Sequence, residues 1–162
     1  MKKQPKATDL RPRAWFVSLR GEATYPGDEE IVEKVAKQEQ ARVRRGAGRV
    51  DWFFWAGHAR FRKEARVGDI IIECWRPRAK IATTRSVRVH RNGRVVRIFK
   101  ETGVKAVTFH CLWPPDSERT ALPWSDFARL AGRAGIQRTF TYRSTFELSE
   151  KQSAALYELW PS

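Results

Sequence analysis

Apolar residues in this chain come mostly in short runs and alternations, the pattern of strands, with three stretches at helical spacing. Residues 14–19 (AWFVSL) predict a first strand. A loop with a Tyr25-Pro26-Gly27 turn follows, and Asp28 then caps a helix of about four turns. Ile31, Val32, Val35, Ala36 and Val43 form its apolar stripe, cations gather toward its C-terminal end, and Gly46 stops it. Residues 50–75 dominate the middle. An aromatic strand (Trp52, Phe53, Phe54, Trp55) leads to a short basic segment, and a Val67-Gly68-Asp69 turn launches a second strand ending at Trp75. Residues 79–99 read as a hairpin, with Asn92-Gly93 as a type I′ turn and arginines alternating along one face. Residues 104–113 predict a further strand closed by Pro114-Pro115, and Ser125 is positioned to cap a short helix to about Gly132. Residues 139–148 alternate and are β-branched, which predicts a strand. Ser149 and Gln152 have capping-box spacing and open a final helix through Leu159, with Leu156, Leu159 and Trp160 as its buried face.

Composition turns this α+β outline toward polyanions. The 162 residues carry 32 Lys and Arg against 18 Asp and Glu, a formal charge of +14. Such an excess favours DNA, RNA or an anionic surface. The length suits one domain over residues 14–162, preceded by a basic, extended arm over residues 1–13. Cys74 and Cys111 lack the spacing of a zinc site or disulfide framework, so no metal is expected. No apolar segment follows the charged N-terminus, and no run approaches the roughly 20 residues of a membrane span. The expectation is a cytoplasmic protein with no membrane association and no cofactor.

Aromatic rings among cations supply what base stacking and phosphate binding require. Trp52, Trp55 and Trp75 are the candidate rings, although a tryptophan taken alone is more often a core residue. Trp52 and Trp55 fall on opposite faces of a regular strand, so they share a cage only across a bulge. Ser18, Asp69 and Ser144 are the candidates for reading a base edge. Arg60, Arg62, Lys63 and Arg66, with Arg76, Arg78 and Lys80 beyond the second strand, are the candidates for holding the nucleic-acid backbone.

The order of these motifs resembles the EVE domain, a relative of the YTH and PUA domains. Trp15-Phe16-Val17, Trp55-Ala56-Gly57, Val67-Gly68-Asp69-Ile70-Ile71-Ile72 ending at Trp75, and Arg143-Ser144-Thr145-Phe146 carry the likeness across most of residues 14–160. The resemblance implies a small PUA-like mixed β-barrel flanked by helices. It also implies a pocket in which a flipped, modified (methylated) base is read within an aromatic cage. A nuclease or restriction-system partner would fit such a reader.

Two other readings remain open. PUA-like folds include small hydrolases that could act on a modified nucleoside. His110 and Cys111 are strand neighbours whose side chains diverge, so only Cys74 with His58 could form a nucleophile and base, and no catalytic residue is assigned. An RNA-binding accessory protein indifferent to modification would share the same charge.

Overall fold

The computed structural model describes residues 12–20, 49–55, 58–76, 87–100, 107–117, 119–136, 140–141 and 144–161. The helix expected from Asp28, residues 1–11, and Arg78 and Lys80 lie outside them. Seven strands and three helices appear in the order β1 (Ala14–Arg20), β2 (Arg49–Trp55), α1 (Ala59–Glu64), β3 (Ile70–Arg76), β4 (Arg88–Lys100), β5 (Val107–Trp113), β6 (Leu122–Pro123), α2 (Trp124–Arg133), β7 (Phe146–Leu148) and α3 (Glu150–Leu159). The strands form one mixed sheet in the order β2-β5-β4-β3-β1-β7, with β6 added beside β4. β1 and β3 run parallel and every other pairing is antiparallel. The class is α+β as expected. No pairing closes the path from β2 to β7 into a barrel among the described residues.

Strand alternation sends successive side chains to opposite faces, and each face carries its own core. Ala14, Phe16, Ile72 and Cys74 pack on one face with Phe127 and Leu130 of α2 and Leu156 of α3. Trp15, Val17 and Ile71 pack on the other with Phe61 of α1, Phe109 and Trp113. The first face is rich in aromatics, with Phe16 stacked on Phe127 at 5.4 Å and on Phe146 at 5.2 Å.

The expected hairpin at Asn92-Gly93 does not form. β4 runs through both residues as one strand of 13. A type I′ turn needs positive φ at both central positions, and here Asn92 alone has it, at 66°. Asn92 instead forms part of a β-bulge. His90 pairs with Glu73 and Gly93 with Ile71, so Arg91 and Asn92 together oppose Ile72. A second register shift lies between Val95 and Arg97 on the β5 side. Bent twice, β4 pairs with β3 through its first half and with β5 through its second. The bulge also explains Gly93: a Cβ there would overlap the six-membered ring of Trp113.

Other boundaries move for local reasons. α2 starts at Trp124 with Pro123 at its cap position, so Ser125 caps nothing. It ends beyond Gly132, at a Schellman turn: Gly135 (φ 80°) donates to the Gly132 carbonyl and Ile136 to that of Ala131. Of the last expected strand, Phe146–Leu148 pair in the sheet as β7, and residues 139, 142 and 143 lie outside the described residues. Just before it the chain turns, with the Ser144 N–H donating to the Thr141 carbonyl and the Thr141 N–H to Ser144 Oγ, both at 2.9 Å. α3 begins at the expected capping box: Gln152 N–H donates to Ser149 Oγ, and the Gln152 side chain accepts from the Ser149 N–H. Leu156 and Trp160 are buried, and Leu159 packs beside them.

Gly93→Ala should destabilise the protein by about 1–3 kcal/mol through overpacking, measured by urea unfolding. Combining it with Trp113→Leu, which removes the ring the new methyl strikes, should cost less than the sum of the two single changes.

Candidate nucleic-acid interface

The turn into β3 is built around Asp69. Its side chain is buried and accepts from the backbone N–H of Arg13 (3.2 Å), the Trp15 indole N–H (3.0 Å) and the Arg66 N–H (3.0 Å). Three internal donors make it a structural hub rather than a group offered to a base edge. Ser18 is likewise sealed in the sheet, 0% exposed, with its N–H directed to Thr145 Oγ1.

Arg13 belongs to this hub and not to a free arm. Its carbonyl accepts from the Ile70 N–H. Its guanidinium forks onto Glu147 (2.8 and 2.6 Å), reaches Glu64 (2.7 Å), and lies 4.8 Å from the Trp15 ring centroid. Arg60, expected to hold phosphate, joins the same network through Glu147 (2.7 Å) and Glu64 (3.3 Å). Arg13 holds both Glu147 and Glu64 below the ordinary carboxylate range, and the two acids, Glu147 first, raise the Arg13 value in return. The network thus ties the start of β1, α1 and β7 together. Lys63 and Arg66 are exposed on the surface beside it, and Arg62 is half-buried.

The candidate positions do not converge along the sheet. The β2–β5 ladder runs from Arg49↔Trp113 to Trp55↔Val107 without a register shift, so the bulge that a shared cage of Trp52 and Trp55 requires is missing. Trp55 lies level with Lys100, the last residue of β4, through Val107; Trp75 pairs with Arg88, the first. The two tryptophans therefore stand at opposite ends of β4.

Trp75 is 37% exposed, a large apolar side chain left open to solvent. The strand ends around it are basic: Arg76 follows and pairs with Arg20, and Arg88 pairs with Trp75 itself. Arg88 also pairs with Pro123, and the Trp124 N–H donates to the Val87 carbonyl at 3.2 Å. The first turn of α2 is thereby fixed at this same end of the sheet.

From Trp124 an open groove of about 750 Å³ runs along α2, lined by Ala128, Arg129, Gly132, Arg133, Gly135, Ile136 and Phe140. Trp124 and Phe140 meet edge to face at 5.7 Å and wall it. Arg129 and Arg133 are exposed on its rim, Arg129 paired with Asp126 at 2.6 Å. Ile136 and Phe140 also line a neighbouring cavity of about 420 Å³, with Ser144, Thr145, Phe146, Glu147 and Gln152. Ser144 is the edge-reading candidate that borders a cavity. Sequence reasoning did not select the residues of the larger groove. The available signal was spacing, since positions 124, 128, 129, 132 and 133 fall on one side of a helix.

The hydrolase pair is not assembled. Cys74 is buried in the core covered by α2 and α3. His58 caps α1, its Nδ1 accepting from the Phe61 N–H, and Phe61 belongs to the core on the opposite face. Burial first, and Arg60 second, lower the His58 value, which favours the neutral imidazole, and the bond from the Phe61 N–H makes Nδ1 its acceptor. No group of side chains suited to a metal occurs among the described residues. No family model matches the chain, nor does any curated protein or solved structure.

Glu147 has its folded value depressed, so its contribution is complete above the unfolded value near 4.5 and disappears as pH falls through the lower folded one. Glu147→Gln should therefore cost about 1–2 kcal/mol at pH 7, allowing for partial solvent screening. The difference from wild type should shrink as urea unfolding is repeated at pH values below 4.5.

Proposed function

We propose that the protein binds nucleic acid at the sheet end carrying Trp75 and reads one unstacked base in the groove along α2. The observation that carries this reading is the occurrence of three features at one end of the sheet, with Trp75 and Arg88 on the face of Ile71 and the groove on the face covered by α2. The three are an open indole, a cluster of arginine positions, and an aromatic groove with guanidiniums on its rim. In this reading the sheet is a PUA-like barrel of the EVE type, a likeness carried by the short sequence motifs described above.

The energetics are consistent with such a division of labour. Extruding a base costs a few kcal/mol, less for a single-stranded or damaged one. Stacking on an aromatic side chain returns roughly 1–3 kcal/mol per base. Trp75 would stack a base on the α1 side of the sheet end, and Trp124 with Phe140 would flank the extruded one on the α2 side. Phosphate contacts from the arginines would supply the salt-dependent bulk of the affinity. A methyl group adds only about 0.8 kcal/mol by transfer, so selectivity for a modified base must come from fit and from polar groups at the base edge. Ser144, beside the adjoining cavity, is the nearest sequence-selected candidate for that task.

A panel of plain, methylated and hydroxymethylated DNA and RNA oligonucleotides at fixed salt tests the proposal by fluorescence anisotropy. The expected result is tighter binding to one modified species. Trp75→Ala should weaken single-strand binding by roughly 1–3 kcal/mol, beside a fall in melting temperature from the covered part of the ring, with the protein still folded at the assay temperature. Arg133→Gln should make the dependence of log K on log salt shallower by about one. Equal binding to every species with a steep salt dependence would make the protein a modification-independent binder. Absence of binding at low salt would end the nucleic-acid reading.

A further inference from the structure

The bulge at Asn92 has a consequence on the helix-covered face of the sheet. Arg91 and Arg94 are three residues apart, and a regular strand would send them to opposite faces. The extra residue reverses the alternation between them. Arg94 pairs with Ile70, which packs against the helix-side core, and the Arg91 guanidinium lies 5.5 Å from the Trp160 ring centroid in that same core. Tyr157 precedes Trp160 by three residues, so the two share one side of the α3 terminus.

Two polar atoms in this cluster are buried and have no hydrogen-bond partner among the described residues: Arg91 Nε and the Tyr157 hydroxyl. Burial pushes the Tyr157 phenol up to about 12, against the opposing pull of Arg91 and Arg94, so the hydroxyl keeps its proton and remains a donor. Among the described residues no carboxylate contributes to that balance. Buried donors normally find an acceptor, and here the two guanidiniums supply donors and charge only, leaving the phenol oxygen as the one acceptor of the three side chains.

We propose that Arg91, Arg94 and Tyr157 form a binding site for a phosphate-type oxyanion. Donors arriving from a strand and from the helix packed over it suit the tetrahedral acceptors of phosphate better than a planar carboxylate. Arginine forks supply the charge-assisted bonds, and the phenol adds a directional one. The site goes beyond the nucleic-acid reading and does not depend on it. Its phosphate would come either from a nucleic-acid backbone or from a small phosphorylated molecule.

The test is calorimetric titration of the full chain with inorganic phosphate, against sodium chloride at equal ionic strength. Saturable binding of phosphate and none of chloride is expected. Tyr157→Phe removes a hydroxyl that bonds to no described residue, so this variant should stay folded and at least as stable as wild type. Arg94 is exposed, so Arg94→Gln should also fold. Each should weaken phosphate binding by about tenfold, the scale of one hydrogen bond to a charged group. A response to phosphate no different from that to chloride would overturn the site, as would folded variants that bind phosphate as wild type does. Competition with a short single-stranded oligonucleotide then separates the sources. Displacement of bound phosphate assigns the site to a backbone phosphate, and simultaneous binding assigns it to a small phosphorylated ligand. Because the first titration contains no nucleic acid, it stands whether or not the base-reading proposal does.

Discussion

β4 changes course at Asn92, and much of the molecule is arranged by that single extra residue. One positive φ lets two residues oppose Ile72 and reverses which face each later side chain occupies. Without it, Gly93 would not lie beneath Trp113, and Arg91 and Arg94 would part to opposite faces. The second shift, before Arg97, turns the strand again, so that Val95 and Ile98 join the same core despite their odd spacing. Bulges of this kind bend a strand and increase its twist, which lets one long β4 serve two neighbours lying in different directions.

The second organising feature is the polar junction at the start of β1. Asp69 gathers three N–H groups, and Arg13 is held by two carboxylates while covering the Trp15 ring. Such a junction fixes the parallel pair β1 and β3, which have no hairpin to set their register. It also sets Arg13 and Arg60 against two carboxylates, although Arg60 stays exposed. The formal charge of +14 already counts Glu64 and Glu147, so this pairing changes where the positive surface lies and not its total.

The two faces of the sheet are covered differently. α1 and the second core close one face with Trp15, Phe61, Phe109 and Trp113, and their rings are inaccessible. The other face carries α2 and α3, and its aromatic cluster continues outward through Trp124 and Phe140 into an open groove. Aromatic content alone did not distinguish these surroundings. A sealed ring and a ring that lines a groove have the same composition, and only the elements around each decide which it becomes.

The sequence by itself determined the strand at 14–19, the aromatic strand through Trp55, the Gly68-Asp69 turn into β3, and the Ser149 capping box. Each depends on residues adjacent in the chain: alternation, a turn, or a cap reaching three positions away. The tertiary structure decided the rest. Asn92-Gly93 is a valid local turn signal, but the ladders on both sides of β4, with Trp113 over Gly93, favour a bulge. Asp69 is polar and well placed in the sequence, but donors from Arg13 and Trp15, more than fifty residues away, claim its oxygens. Trp55 and Trp75 sit in one sequence motif yet are carried to opposite ends of β4, because proximity along a chain does not set position across a sheet.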